Sequence, residues 1–344
     1  MLAYVARRLL LMIPTLFGVL TITFVIIQFV PGGPVDQVIA EARAGKGGDL
    51  GGFQGRRDLD AKQIADLKAM YGFDKPPLTR YSEMLANFAR FDLGRSFMRN
   101  KDVWSLIKEK LPVSISLGLW TFVLTYLISI PLGVAKAVRE GTRFDTFTTL
   151  LVLVGYAIPG FVLGVLLIVF FAGGSFLDWF PLRGLTSDNW LELSWPARIR
   201  DYLWHLVLPL TCFSIGSFAV TTMLTKNTFL EEIRKQYVLV ARAKGLSEKR
   251  VLYRHVFRNA LIPLVTGFPA AFVGAFFAGS LLIETLFSLD GLGLLTYQSL
   301  VQRDYPVVLG TLYLLTLVSL VVKLIGDLMY VVVDPRVQFA AVAR

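Results

Sequence analysis

Arg250, Arg254 and Arg258 recur at every fourth position of the stretch VARAKGLSEKRVLYRHVFRN, residues 240–259, with His255 among them and Arg242 and Lys244 shortly before. On a helix this spacing makes one cationic stripe. Such a stripe holds anions or acidic surfaces by charge and breaks no covalent bond. Residues able to do covalent chemistry are scarce elsewhere. The histidines are His205 and His255, and the single cysteine is Cys212. The patterns H-E-x-x-H and G-x-S-x-G are absent, so a membrane-embedded hydrolase has neither its metal pair nor its serine. The phosphate-cradling G-x-x-x-x-G-K-[ST] is absent as well. No cofactor or metal is therefore expected on this chain, and one cysteine allows no intrachain disulfide. These residues point to recognition rather than catalysis.

The elements that position them are set by composition. Of 344 residues, 55% are hydrophobic and 17% charged, with a formal net charge of +10. That is too apolar for an ordinary soluble domain. A bilayer core of about 30 Å needs roughly 20 apolar helical residues. Six stretches qualify: Leu9 to Val30, the residues between Lys110 and Lys136, Asp145 to about Phe171, Trp204 to Thr225, about Ala260 to Ile283, and about Tyr305 to Val333. The expected fold class is an all-α integral membrane protein with six transmembrane helices. His205 then lies at the start of the fourth span as an interfacial hydrogen-bonding residue, and Cys212 lies inside that span.

Six spans place both termini on one side, and the distribution of positive charge says which. Arg7 and Arg8, then Lys136, Arg139 and Arg143, then Lys226 to Arg258 with nine Lys and Arg against three Glu, all fall on one face. That face, with both termini, is expected to be cytoplasmic. The first apolar run is longer than a signal-peptide core, and the nearest A-x-A, Ala40 to Ala42, lies ten residues beyond it. An uncleaved first span is expected.

The chain divides accordingly into 1–30, the N-terminal segment with the first span; 31–110, a long loop on the outer face; and 111–344, the remaining spans with a cytoplasmic loop at 226–259. In the outer loop GKGGDLGGFQG, residues 45–55, reads as a flexible linker. LDAKQIADLKAMYGF has an N-cap in Asp60, one apolar face and a terminator in Gly72, and RYSEMLANFARF is a second amphipathic helix.

In the 226–259 loop, Gly245 stops one helix where a left-handed residue is needed. Ser247 can cap the next, with Glu248 favourable in its first turn. The expected element is a helix, a tight turn and a helix. A DNA-binding helix-turn-helix has the same elements, but both ends here run straight into spans, which keeps the second helix from a major groove. No nucleic-acid partner is expected. Two readings remain: a basic surface on anionic lipid headgroups, and a docking surface for a cytoplasmic protein.

The stretch YVLVARAKGLSEKRVLYRHVFRNALIP, Tyr237 to Pro263, resembles the ATPase-coupling loop of ABC importer permeases in its dipeptide and oligopeptide form. Further stretches agree in order: ARRLLLMIPTLFGVLTITF near the start, PGGP at 31–34, FDLGRSF at 91–97, RDYPVV at 303–308 and VDPR at 333–336. The general coupling pattern carries an acidic residue where this chain has Leu239. The resemblance implies a type I ABC importer permease fold with a long periplasmic loop after the first helix, in a bacterial inner membrane. It also implies the function: a permease subunit forming half of a translocation pathway for peptides, peptide antibiotics among them. The implied partners are a second permease subunit in a heterodimer, two cytoplasmic ABC ATPase domains that hold ATP and Mg, a periplasmic peptide-binding protein and the peptide substrate. The implied ATPase-coupling residues are Ala241, Arg242, Ala243, Lys244, Gly245, Leu246, Ser247, Arg250, Arg254, His255 and Arg258. Importers of nickel or glutathione carry similar permeases. A secondary transporter, which combines energy coupling and substrate site in one chain, would show an internal repeat with matching broken helices, and none is evident.

Candidate pathway or gating residues follow from backbone breaks and buried charge. Pro131, Pro159, Pro209 and Pro269 fall inside expected spans, where each removes a helical hydrogen bond. Beside Pro159, Gly160 and Gly164 make a G-x-x-x-G spacing that lets helices approach closely. Pro159 and Gly160 are candidates for a hinge or for pathway lining, against a static packing kink. An ionisable residue at membrane depth is costly. Glu284, at the outer end of the fifth span, is a candidate for gating or contact with a peptide amine, against a helix-end carboxylate reaching the interface.

Overall fold

In this computed structural model, residues 2–30, 33, 65, 69, 72–174, 176–277 and 281–333 are described. The helices in chain order are α1 (Leu2–Phe29), α2 (Pro77–Ala89), α3 (Val103–Val138), α4 (Arg143–Ala157), α5 (Gly160–Phe171) and α6 (Trp195–Ile233). Then follow α7 (Gln236–Ala243), α8 (Glu248–Ala260), α9 (Ile262–Phe277), α10 (Leu281–Leu286), α11 (Leu292–Val301) and α12 (Tyr305–Val333). No strand occurs among the described residues, and the fold class is all-α. Four helices, α1, α3, α6 and α12, are each long and apolar enough to cross a bilayer, and the number is six if each of two bent pairs counts as one span. The linker at 45–55, most of the helix expected after Asp60, and the PGGP and VDPR stretches lie outside the described residues, apart from Gly33 and Val333.

The third span breaks at Pro159, where a hinge or kink was expected. It is two helices, α4 and α5, meeting at 98°. The cause is local. A residue before proline is pushed out of the helical region, and Ile158 takes φ −87°, ψ 118° ahead of Pro159, which caps α5. At 1.5 Å per residue the two pieces reach only about 22 and 18 Å, so neither crosses alone. Pro131, Pro209 and Pro269, by contrast, sit within unbroken helices.

The chain forms two compact units. Counting the described residues, one is drawn from 2–112 with 294–318, and the other from 113–293 with 319–333. The first unit thus joins the N-terminal span and the described part of the outer loop to the start of α12. In it α2 lies on α1 through Tyr81, whose hydroxyl is 2.6 Å from Thr21 Oγ1 and whose ring is 5.2 Å from that of Phe24. The FDLGRSF and RDYPVV stretches, some 200 residues apart, meet at Asp304. Its carboxylate accepts from Ser96 Oγ at 2.5 Å and from the Phe97 amide at 2.9 Å, and the Arg99 guanidinium stands 3.8 Å away. Arg99 also donates to Ser299 Oγ and Gln298 Oε1. Buried Leu93, Val103 and Val307 pack around this knot, and Gly310 is so close that a Cβ there would lie 2.8 Å from Val103 Cγ1.

The second unit carries two apolar cores. Toward one end Leu117, Leu206, Leu210, Cys212, Ile283 and Phe287 are buried together. Near that end aromatic residues of the kind enriched at membrane interfaces cluster: Trp204 stacks on Phe180 at 4.4 Å and donates to the Trp179 carbonyl. His205 is buried, ten residues into α6, with Nδ1 2.8 Å from the Asp201 carbonyl. At the other end of α6 a core of Val134, Ala137, Phe229, Val238, Ala241, Val251, Val256 and Ala260 supports the basic loop. Between the cores α3 and α6 touch through small and hydroxyl side chains. Ser129 Oγ donates to the Phe218 carbonyl, and a Cβ on Gly133 would sit 2.5 Å from Thr225 Cβ. Small residues permit this close approach where apolar burial against lipid gives no net drive.

Candidate functional site

The basic loop is the helix, turn and helix its sequence specifies. Gly245 has φ +77° and closes α7 in a Schellman arrangement, its amide donating to the Arg242 carbonyl at 2.9 Å and the Leu246 amide reaching back to the Ala241 carbonyl at 3.4 Å. A Cβ at Gly245 would meet nothing within 4 Å. Glycine is needed there for its backbone conformation rather than for room. Across the turn Arg242 forms a two-point pair with Glu248, Nε to Oε1 at 2.8 Å and Nη2 to Oε2 at 3.1 Å. The expected cap by Ser247 is corrected. The residue stands at the N-cap in extended geometry, but its side chain makes no capping hydrogen bond. The charged pair bridges the turn instead, and Glu248 fills the first-turn acidic position.

Val251 to Val256 is a π-helical turn within α8. The burial pattern gives the reason. Val251, Val256 and Ala260 are all essentially inaccessible, and in α geometry residues five apart diverge by about 140°. The wider π turn brings residue i+5 back over residue i, so both valines face the same core. That core is the seat formed by Val134 and Ala137 of α3 and Phe229 of α6, with Phe229 and Phe257 rings 5.6 Å apart. Burying each such side chain contributes roughly 1.5–3 kcal/mol, so the loop is held as a rigid body on two long helices.

Among the residues expected to couple, Ala241 is buried in this seat, and Leu246 and His255 are half-buried. Arg242, Ala243, Lys244, Gly245, Ser247, Arg250, Arg254 and Arg258 are exposed. Arg254, His255 and Arg258 come together on one wall of a cleft of about 550 Å³, opposite Glu232, Lys235 and Tyr237. The Tyr237 hydroxyl donates to Glu232 Oε2 at 2.7 Å. Burial and this carboxylate hold the phenol above its ordinary range.

Behind the seat lies a group that the sequence reading treated only as surface charge. Lys136 is fully buried, and its ammonium contacts Asp145 Oδ1 at 3.1 Å, Thr148 Oγ1 at 2.9 Å, Thr149 Oγ1 at 2.6 Å and the Asp145 carbonyl at 3.0 Å. Lys226 reaches both oxygens of the same carboxylate at 2.7 Å. One aspartate at the start of α4 thus ties the ends of α3 and α6 through two ammonium groups. The signal was one acidic residue and two lysines at the ends of three neighbouring spans, but their convergence depends on packing.

The remaining candidates are packed within the protein. A Cβ on Gly160 would lie 2.6 Å from the Cys212 carbonyl oxygen, and one on Gly164 would lie 2.6 Å from Leu286 Cδ2. The G-x-x-x-G face is therefore a tight contact of α5 with α6 and α10. Glu284 is 1% exposed, which corrects the picture of a helix-end carboxylate reaching the interface. Its Oε2 lies 2.8 Å from where a Cβ of Gly291 would be, so the carboxylate is folded against the loop after α10. Ser114 Oγ accepts from the Leu292 amide beside it. Among the described residues no group of His, Cys, Asp and Glu could hold a metal ion.

Comparison with known proteins bears on this arrangement. Residues 129–339 match the family model for the binding-protein-dependent transport system inner membrane component. The chain is 56% identical to the peptidoglycan transport system permease protein YejB of Agrobacterium fabrum strain C58, over 98% of both chains. It is 52% identical to the inner membrane ABC transporter permease protein YejB of Escherichia coli O157:H7, over 98% of this chain and 99% of that one. It is 34% identical to the oligopeptide transport system permease protein AppB of Bacillus subtilis strain 168, over 98% and 100%. A solved structure of the MetNI methionine ABC transporter in inward-facing conformation superposes with a TM-score of 0.51 at 17% identity, covering 67% of this chain and 97% of that one. This likeness shows a shared type I importer permease fold.

Proposed function

Because this chain belongs to the family of binding-protein-dependent transport system inner membrane components, we propose that it is one permease subunit of an ATP-driven importer that moves peptides across the inner membrane. The observation that carries the coupling part is the Gly245 turn, an exposed charged tip on a helical pair whose back is buried against α3 and α6. A body seated in this way passes a push at the tip to both helices. In this reading cytoplasmic ATPase domains hold ATP and Mg and press on the tip. A second permease subunit completes the pathway, and a periplasmic protein delivers the solute. Both termini are cytoplasmic. Biasing the spans between inward-open and outward-open states then requires only that the two ATPase geometries differ in free energy when docked.

Peptide cargo is supported by the relatives' roles, named for peptidoglycan and oligopeptide transport. Chemically these share an amide-linked chain with charged ends. Pro159, Gly160 and Glu284 contribute by shape in this reading. Pro159 sets the α4–α5 corner, Gly160 admits α6 against it, and Glu284 fixes the loop after α10.

The test uses the assembled complex of this chain with its companion permease and ATPases in nanodiscs. Gly245→Val places a β-branched residue in left-handed backbone, at about 1–2 kcal/mol, and leaves the buried seat untouched. The expected outcome is normal membrane insertion with ATPase co-purification or peptide-stimulated hydrolysis reduced about tenfold. Unchanged values for both would remove the loop from the coupling role. Uptake of a labelled tripeptide, measured against competing nickel, glutathione and a peptidoglycan-derived peptide, identifies the cargo class.

A further inference from the structure

The cleft beside the loop differs from the tip in ways that point to a different ligand. Its lining includes three permanent cations, Lys235, Arg254 and Arg258, and one acid, Glu232. That acid is already engaged, accepting from both Lys235 and Tyr237. Arg254 and Arg258 make no ion pair among the described residues. Arg242 at the tip, by contrast, is neutralised by Glu248. The cleft is therefore the place on this loop where positive charge is left unmatched around a concave surface.

Its position decides what kind of anion fits. Ile262 lines the cleft and opens α9, whose sixteen residues IPLVTGFPAAFVGAFF carry no charge. Arg258 stands four residues before Ile262, and Glu248, where α8 begins after the turn, stands about 15 Å of helix before Arg258. The cleft thus borders the apolar span, whereas the tip projects away from it. The walls are also fixed in place, since the Tyr237 hydroxyl reaches Glu232 on one side and lies 3.4 Å from the His255 carbonyl on the other.

We propose that this cleft binds the phosphate headgroup of an anionic phospholipid, with the acyl chains running beside α9. Arg254 and Arg258 hold the phosphate, Asn259 and His255 supply polar contacts, and Ile262 meets the glycerol and first methylenes. The stripe of arginines is accordingly divided in use. Arg250 is exposed but outside the cleft, and belongs to the tip. An acidic protein face laid along the stripe would engage all three arginines, whereas a headgroup engages the two next to the span.

The experiment titrates the complete detergent-purified complex with phosphatidylglycerol or phosphatidylcholine of equal chain length and counts bound lipid by native mass spectrometry. At low ionic strength the unmodified complex is expected to retain phosphatidylglycerol preferentially. Arg254→Gln/Arg258→Gln should weaken that preference up to about thirtyfold, the equivalent of roughly 1 kcal/mol for each arginine. Arg250→Gln should leave it unchanged. Both replaced arginines are exposed, so the core is not disturbed. The proposal is overturned if the double variant keeps its preference for phosphatidylglycerol, or if Arg250→Gln costs as much. It is also overturned if the double variant sheds the ATPases while lipid preference persists, which would make the cleft a protein interface. Lipid counting reads this inference separately from ATPase retention in Gly245→Val, so either can fail alone.

Discussion

Among the carboxylates that cations serve in the second unit, two illustrate opposite uses of the same chemistry. Glu248 meets Arg242 at the exposed tip, with side chains 72% and 39% accessible. Asp145 meets Lys136 and Lys226 behind the seat, where the three side chains are 8%, 0% and 12% accessible. In water the first pair gains little, because solvent screens it and two long side chains lose freedom. In the interior the balance is different. Each charge there has been stripped of water, so any partner left alone carries a large penalty. The exposed pair is therefore free to exchange partners, and the buried group is committed to one geometry.

Removing the carboxylate from the buried group should give the largest effect. Asp145→Asn leaves two lysines facing each other without a counter-charge, at about 3–5 kcal/mol, and is expected to lower the thermal midpoint and the yield of the complex. The diagnostic comparison is Asp145→Asn/Lys136→Met, which takes away one stranded ammonium and should recover much of the loss. If the double variant is no better than the single, charge balance is not what holds these three helix ends together.

Asp304 sharpens the contrast, since it is buried like Asp145 but served mainly by a hydroxyl and an amide, with Arg99 at 3.8 Å. Burial pushes its carboxyl above the ordinary range, against the opposing pull of Ser96, Phe97 and Arg99. A raised carboxyl means that the folded state holds the proton more tightly than the unfolded chain does. The sign follows. Its contribution favours folding below the ordinary carboxylate range and is lost as pH rises through the folded value. The thermal midpoint of the unmodified chain relative to Asp304→Asn should therefore rise as pH falls from neutral into the carboxylate range. A difference independent of pH would contradict this assignment.

The smallest effect is expected at the exposed pair. Arg242→Ala should change stability by about 0.2–1 kcal/mol, and less in high salt. A loss approaching that of Asp145→Asn would mean that the tip is buried in the assembled complex.

What the sequence made legible follows the range of the interactions. Gly245 was readable because a left-handed turn is a property of a few adjacent residues, and the apolar spans were readable because hydropathy is local. The 98° corner was half readable: Pro159 marked a break, but neither proline nor hydropathy sets an angle, and Pro131, Pro209 and Pro269 leave their helices continuous. The Asp304 knot joins two recognised stretches some 200 residues apart, and nothing in either stretch names the other. Lys136 was misjudged for the same reason. A lysine at the end of a span looks like any other until the packing that covers it is known.

Helix α6 runs unbroken for 39 residues, about 58 Å, and so extends well beyond an apolar slab of about 30 Å. It carries Phe229 of the seat near one end, and Trp204 and His205 toward the other. A straight rod of that length turns angle into distance: one degree of tilt about one end moves the other by about 1 Å. A few degrees at the loop thus amount to the width of a solute atom on the far side, a leverage that comes from length alone.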